Sequence, residues 1–235
     1  MQSLLFPPCC LFCHTVIAAN EKGCCSDCFS RIRPLSNDTC SICGIGLPKE
    51  LVPGPCGKCL ENRPAQCATH SLYVYKDAVR DAVLAWKLQG QDAAILWLLD
   101  IAEKRLKELL HPDDLLLPVP MPLSRMRKQG QHHAADLCKQ IANHVGCQWD
   151  WKILRRMGDQ PRQSALSGAQ RRKNLRKAFA VDTDYWHQRD SVAGRIWVID
   201  DIITTGMTVH FAAKALRSIS NEIHVLSLTR AVRDG

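Results

Sequence analysis

Asp200-Asp201-Ile202-Ile203-Thr204-Thr205-Gly206-Met207-Thr208 follows Ile196–Ile199, a run that is apolar at every position. The carboxylates of Asp200 and Asp201 can accept hydrogen bonds from a vicinal diol. Thr204, Thr205 and Thr208 offer hydroxyls, and Gly206 lets the backbone approach closely or take φ > 0. The N–H groups that open a following helix complete an anion cradle. Acceptors for a sugar, followed by donors for a phosphate, describe a sugar phosphate. Adjacent side chains in a strand face opposite ways, so the chain is expected to leave the sheet at Asp200 if both acids are to reach one ligand. An ordinary strand, turn and helix with Thr208 as N-cap is the bland alternative. The nucleotide motifs GxxxxGK[ST] and GxGxxG are absent, as are HExxH and GxSxG.

A second chemistry resides in cysteine. Of the 13 cysteines, 11 lie in the first 67 residues. CxxC pairs stand at Cys10/Cys13, Cys25/Cys28, Cys40/Cys43 and Cys56/Cys59, with offsets of 30 and 31 between the first and third and the second and fourth. Arg33-Pro34 and Arg63-Pro64 repeat at the same interval of 30, so the segment is a duplicated module. Two tight turns, each aiming two thiolates at one centre, make a tetrahedral zinc site with a closed shell, hence a structural one. The simplest scheme joins the first two pairs and then the last two; an interleaved scheme is also open. Cys9 and Cys24, beside ligand positions, read as non-ligands, and His14 as a spare donor. Residues 1–64 hold few large apolar side chains, so two zinc ions must supply much of their folding free energy, about 10–16 kcal/mol per site.

The remaining numbers bound the setting. Met1–Pro8 carries no positive leader, so no signal peptide is expected, and thiols in this number point to metal in a reducing, cytoplasmic location rather than to disulfides. No apolar run reaches the length of a membrane span. The net charge of +8 is concentrated: residues 125–177 hold 13 Lys and Arg against 3 Asp and Glu, a surplus of +10 that suits a polyanion such as pyrophosphate, nucleotide or nucleic acid.

The elements that must position these residues alternate. Strands are expected at 68–76, 115–119, 196–199 and 223–228, and helices at 78–86 with Asp77 as N-cap, 94–110, 131–145 and 208–219. Ala78, Val79, Ala82, Val83 and Trp86 form one helical face, and Ala134, Leu137, Cys138, Ile141 and Val145 another. Residues 155–177 read as a mobile basic loop, with a helical part near 169–175. Fully apolar strands imply helices on both faces of a parallel sheet, with ligands beyond the strands' carboxyl ends. The expected organisation is a small double zinc ribbon over 1–64 and an α/β domain over 65–235.

Val198-Ile-Asp-Asp-Ile-Ile-Thr-Thr-Gly-Met-Thr208 resembles the phosphoribosyl pyrophosphate (PRPP) motif of type I phosphoribosyltransferases. From Pro7-Pro8-Cys9 to Thr229-Arg230 the chain resembles the ComF/GntX family, a double zinc ribbon followed by such a domain. Further similar stretches are Leu117-Pro-Val-Pro-Met-Pro122, Arg125-Met-Arg-Lys-Gln-Gly130, Gln163-Ser-Ala-Leu-Ser167 and Arg171-Arg-Lys-Asn-Leu-Arg-Lys-Ala-Phe179. The chain departs from the family where Gln131-His132-His133 replaces an aromatic followed by Asn-Gln, and where Gln170 replaces an acidic residue.

The resemblance implies a type I phosphoribosyltransferase-like parallel sheet, with Asp200 and Asp201 on the ribose diol and Thr204, Thr205, Gly206, Met207 and Thr208 around the 5-phosphate. Arg125 and Arg127, in the loop from Pro120 to Gly130, would hold pyrophosphate. Arg171, beside Arg172 and Asn174, would clamp it on closure, and Mg²⁺ would bridge pyrophosphate and ribose hydroxyls. It also implies a role in DNA uptake, natural competence or use of DNA as a nutrient. Two classes of function stay open: a phosphoribosyltransferase, or a non-catalytic PRPP or nucleotide sensor or single-stranded DNA module working with DNA-uptake proteins.

Overall fold

A computed structural model of the chain describes residues 7–18, 20–36, 38–48, 54–158, 177–189 and 194–232. The central sheet consists of β1 (Ala68–Val74), β2 (Leu115–Pro118), β3 (Gln148–Trp149), β6 (Ile196–Ile203) and β7 (Ile223–Arg230), all parallel, in the order β1-β7-β6-β2-β3. A separate antiparallel pair joins β4 (Leu154–Arg156) to β5 (Phe179–Val181). The helices are α1 (Ser26–Arg31), α2 (Gly57–Glu61), α3 (Asp77–Gln89), α4 (Ala93–Ile101), α5 (Glu103–Leu109), α6 (Leu123–Gln129), α7 (His133–Val145), α8 (Thr183–His187) and α9 (Met207–Leu216). None of the described helices is long and apolar enough to cross a membrane. This is the parallel α/β architecture expected, with cysteine modules ahead of it.

The strands lack polar alternation because both faces are covered. Leu115 and Leu117 of β2 join Ile196, Val198, Val209, Ala212 and Val225 in one core. Leu116 joins Trp197, Ile199, Leu137 and Ile141 in the other. Helices α3, α4, α5 and α7 cover this second face, and α9 the first. The expected stripes are the buried ones: Ala78, Val79, Ala82, Val83 and Trp86 on α3, and Ala134, Leu137, Cys138 and Ile141 on α7. Each Leu or Ile so enclosed contributes about 1.5–3 kcal/mol. The outer edge of β1 is covered by the chain between the cysteine modules: Leu35 N–H donates to Leu72 O (2.9 Å), and Val74 N–H to Arg33 O (2.9 Å). The sheet therefore offers no bare edge there.

At the amino ends of the strands, buried Asp114 clamps β2 to β6. It accepts from Arg195 Nη2 (2.8 Å), Arg195 N (2.8 Å), Trp197 Nε1 (2.9 Å) and His111 N (2.9 Å). Burial alone would raise this carboxyl, but the Arg195 side chain and the two backbone donors outweigh it and hold the pKa below its ordinary value. Gly194 is required beside it, since a Cβ there would lie 2.5 Å from Asp113 O.

Several elements differ from the expectation. Lys76 is the N-cap of α3, and Asp77, expected there, is its first helical residue. The single helix over 94–110 is two, separated by a turn at Ala102, whose N–H is shared between Leu98 O (3.2 Å) and Leu99 O (3.1 Å). β6 continues to Ile203 rather than ending at Ile199, with Asp200 opposite Ser227 and Ile202 opposite Thr229. β4 occupies the start of the presumed loop, and the helical part expected near 169–175 lies outside the described residues.

The strand order locates a crevice. After β2 the chain passes through α7 to β3 on one side; after β6, the neighbour of β2, it passes through α9 to β7 on the other. Connections that diverge from adjacent parallel strands leave a gap beyond their carboxyl ends, the switch point where open α/β sheets bind ligands. The segments that leave the carboxyl ends of β2 and β6 there are residues 119–122, leading into α6, and 204–206, leading into α9.

Candidate functional site

The cysteine modules come first in the chain. Cys10, Cys13, Cys25 and Cys28 bring their sulfurs within 4.8 Å of one another, as do Cys40, Cys43, Cys56 and Cys59. The simple pairing scheme is the observed one. A tetrahedral ion about 2.3 Å from each thiolate requires S···S separations of about 3.8 Å. Cys13 and Cys25 are 3.7 Å apart and Cys43 and Cys56 3.8 Å, while all thirteen cysteines are free of disulfides. The donor set and spacing fit Zn²⁺ in two closed, structural sites.

The duplication is visible bond by bond. Cys10 N–H donates to Thr15 O and Cys40 N–H to Ile45 O, both 2.8 Å; His14 N–H donates to Cys10 O and Gly44 N–H to Cys40 O, both 2.9 Å. His14 is thus the counterpart of Gly44, and both take left-handed backbone, φ 61° and 67°. His14 turns the knuckle; it is not part of the cluster. Hydrogen bonds also prepare thiolates in each site, and the Thr15 side chain and backbone lower Cys13. Burial would raise Cys10 and Cys40, yet donors from Cys25, Cys13 and Phe12 in one case, and Cys43, Cys56 and Ile42 in the other, bring each down to about 6. Cys24 is pushed up to about 12 by burial and neighbouring thiolates; it is a non-ligand because its sulfur lies outside the cluster. Cys9 is likewise outside, with Sγ 3.5 Å from Pro7 O.

The first module docks on α4. Trp97 meets Phe12 and Phe29 edge-on at 5.5 and 6.2 Å, and its Nε1 donates to Lys22 O (2.8 Å). Cys10, Cys24, Cys28 and Ile32 belong to the same apolar core as α3 and α7, whereas Cys40, Ile42 and Cys59 form a small core of their own.

The crevice at the switch point holds the acidic pair. Both aspartates lie within β6, so the expected departure from the sheet at Asp200 is corrected: ladder pairing carries the strand three residues further, to Ile203. Asp201 reaches α3, where Lys87 Nζ lies 2.6 Å from its Oδ2. Asp200 turns its carboxylate along the chain, its Oδ1 accepting from Asp201 N (3.0 Å). Burial, then the Asp201 charge, pushes Asp200 up to about 8; the Asp201 N–H and Lys87 pull the other way. Asp200 therefore keeps its proton at neutral pH in the empty protein.

Beyond Ile203, Thr204 and Thr205 are exposed, and Gly206 takes φ 74° as the N-cap of α9. A Cβ on Gly206 would meet nothing within 4 Å, so the backbone angle and not the space calls for glycine. No side chain caps this end, and the first helical bond is His210 N–H to Gly206 O (2.9 Å). The N–H groups of Met207, Thr208 and Val209 thus lack intrahelical acceptors, an arrangement suited to phosphate. Thr208, considered as a cap, lies inside the first turn.

The opposite wall is partly helical. α6 starts after Pro122 and ends at Gly130 (φ 68°). Arg125 and Arg127 are exposed on it, two residues apart and so on different sides of the helix. His132 then caps α7, its Nδ1 accepting from Ala135 N (3.0 Å). It does what a shorter amide or hydroxyl side chain does at such an end. Arg171 lies outside the described residues, as do Arg172 and Asn174.

Lys87 and His133 escaped the sequence reading. His133 is 3% exposed, edge-on to Trp86 at 4.7 Å, and its Nε2 is buried without a partner. A lysine in the last turn of a helix reads as ordinary dipole compensation, so only the fold shows that its target is Asp201. Mg²⁺ fits this crevice in donor type, since carboxylates and hydroxyls are hard oxygens. Among the described residues no third acid, His or Cys joins the pair, so the ion's remaining ligands would come from a phosphorylated molecule and water.

Known proteins agree with this layout. The double zinc ribbon domain family matches residues 1–60. "DNA utilization protein YhgH" of Escherichia coli O157:H7 is 30% identical over 236 residues, covering 97% of this chain and 100% of that one. "Competence protein F" of Haemophilus influenzae is 28% identical over 94% of this chain and 96% of its own, and "Competence protein ComFC" of Bacillus subtilis 26% over 91% and 85%. With cysteine modules and parallel sheet spanned together in these alignments, the chain belongs to the ComF/GntX family.

Proposed function

We propose that this chain binds PRPP or a related ribose phosphate, with Mg²⁺, in the crevice between β2 and β6, and serves DNA utilization or competence in the cytoplasm. One observation carries the ligand assignment: an acidic strand end at the switch point runs directly into an uncapped helix N-terminus. Carboxylates for a diol and free N–H groups for a phosphate are thereby set in the order a phosphorylated pentose requires. The biological role rests on the names of the relatives. In this reading residues 1–64 are the zinc ribbon domain and 65–235 the phosphoribosyltransferase-like domain.

Asp201, facing α3, holds a ribose hydroxyl; Asp200, the preceding residue of the same strand, joins it when its carboxyl turns from the Asp201 N–H, and the backbone of 204–208 holds the 5-phosphate. Arg125 or Arg127 meets pyrophosphate, and Arg171 clamps it. Asp200 and Asp201, with oxygens of the ligand, would hold Mg²⁺, which would supply charge neutralisation for the pyrophosphate. As the glycosidic carbon gains oxocarbenium character, the fixed carboxylates and N–H dipoles need not reorganise, and positioning supplies most of the acceleration.

Calorimetry with PRPP and Mg²⁺ on wild type and Asp200→Asn/Asp201→Asn tests the site; equal affinities would end the assignment. Pyrophosphate release with a panel of bases or amines tests transfer. A second reading, a single-stranded DNA module, draws on Trp151, which is 59% exposed with Lys152 Nζ 6.0 Å from its ring. Salt-sensitive DNA binding without pyrophosphate release would favour it.

A further inference from the structure

We infer that Lys87 is the resident cation of the acidic strand end: it closes Asp201 to free divalent ions and yields that carboxylate to a cation arriving with a phosphorylated ligand. The inference rests on the ligand reading above and deepens it. Lys87 Nζ lies 2.6 Å from Asp201 Oδ2, with side chains only 27% and 16% exposed. The pair is less screened than a surface ion pair, so a competitor must displace a partly desolvated ammonium.

The neighbourhood holds that ammonium in place. Trp86, the preceding residue, is 4% exposed and packs edge-on against His133 of α7, which fixes the last turn of α3. Gly90 ends the helix in left-handed backbone, so Lys87 sits where the carbonyl end of α3 favours a positive charge. Among the described residues the other titratable groups facing Asp201 are Asp200, His132 and His133; burial lowers both imidazoles, leaving them neutral. The acid pair is therefore served by a protein cation before any metal arrives.

Displacement has different consequences for different competitors. A bare divalent ion takes Asp201 and strands the ammonium in a half-buried position. An ion carrying pyrophosphate or a sugar phosphate brings an anion that the freed ammonium can meet, so one ion pair replaces another. Lys87 thereby makes the site selective for the metal–phosphate complex over its metal component.

The test uses full-length, zinc-loaded protein titrated with Mn²⁺ alone, free Mn²⁺ being counted by electron paramagnetic resonance. Lys87→Met and Lys87→Gln are expected to bind Mn²⁺ at least about tenfold more tightly than wild type. Lys87→Arg should match wild type, and Lys87→Met/Asp201→Asn should lose the gain. In calorimetry with PRPP and Mg²⁺ the sign reverses, Lys87→Met binding at least about tenfold more weakly. Mn²⁺ affinity unchanged in both neutral variants, or raised equally in Lys87→Arg, overturns the inference. The Mn²⁺ arm contains no sugar phosphate, so its failure leaves the PRPP reading standing. Conversely, equal PRPP affinity in the double Asp variant ends that reading and not the role of Lys87 as a metal guard.

Discussion

At the scale of single residues, Asp200 carries the clearest consequence. Its carboxyl is pushed from an ordinary 3.8 to about 8 by burial and by Asp201, against the opposing pull of Lys87. Between those values the folded protein retains a proton that the unfolded chain has released, so stability falls as pH rises from about 4 and the loss is complete above about 8. Asp200→Asn removes this liability. Its melting temperature is expected to exceed that of wild type at pH 9 by clearly more than at pH 5, measured by calorimetric scans of ligand-free protein. A difference independent of pH would refute the retention of a proton by Asp200. His14 and Gly44 make a second paired prediction, since both hold left-handed backbone at equivalent knuckles. His14→Gly should stabilise by about 1 kcal/mol, because an L side chain is strained there. Gly44→Ala should cost more than that strain alone, because its Cβ would also sit 2.6 Å from Thr69 O. Urea midpoints of zinc-loaded protein decide both.

At the scale of elements, the amino end of α9 is the part the phosphate reading depends on most. Gly206→Ala meets no steric contact, so its effect is confined to forcing φ 74° on a residue with a Cβ. About 1 kcal/mol of stability should be lost. PRPP affinity should fall by more than that figure implies, because the N–H groups of Met207 and Thr208 shift with the turn; calorimetry and a melting curve on the same sample separate the two losses. The stripes of α3 and α7 were readable because several turns of apolar residues repeat at 3.6, and β2 because a strand buried on both faces shows an unbroken apolar run. β4, β5 and α8 span 3, 3 and 5 residues, too few for a period to emerge. The break at Ala102 has no glycine or proline to announce it. The extension of β6 was hidden because two aspartates in a row look like the end of a strand. Only the ladder opposite Ser227 and Thr229 shows otherwise. The acid pair and the glycine were legible by residue type, whereas the Lys87 partnership arises where the fold brings the last turn of α3 to Asp201 of β6, which no local window contains.

At the scale of the whole molecule, the two zinc sites are alike in sulfur geometry and unlike in what they support. Cys10 and Cys28 are 0% and 1% exposed, and they share a core with Trp86, Leu98, Leu137 and Trp197, so the first ion fixes a surface against which the sheet domain packs. Trp97 reinforces that joint by filling the space between Phe12 and Phe29. Among the described residues Cys40, Ile42 and Cys59 form a separate small core with Cys43, Leu47 and Cys56 partly buried against it, so the second ion orders its own loop and the seat of Gly44 on Thr69 of β1. Replacing one thiolate leaves three ligands and removes much of the site's folding contribution, about 10–16 kcal/mol for an intact structural zinc. Cys28→Ser should therefore lower the main unfolding transition and raise hydrogen exchange in α4. Cys59→Ser should release one zinc and expose residues 54–61, with exchange in α4 and α7 close to wild type. Equal effects of the two substitutions on α4 would mean that the modules act as one unit, and the different ranks assigned to their cores would have to be abandoned.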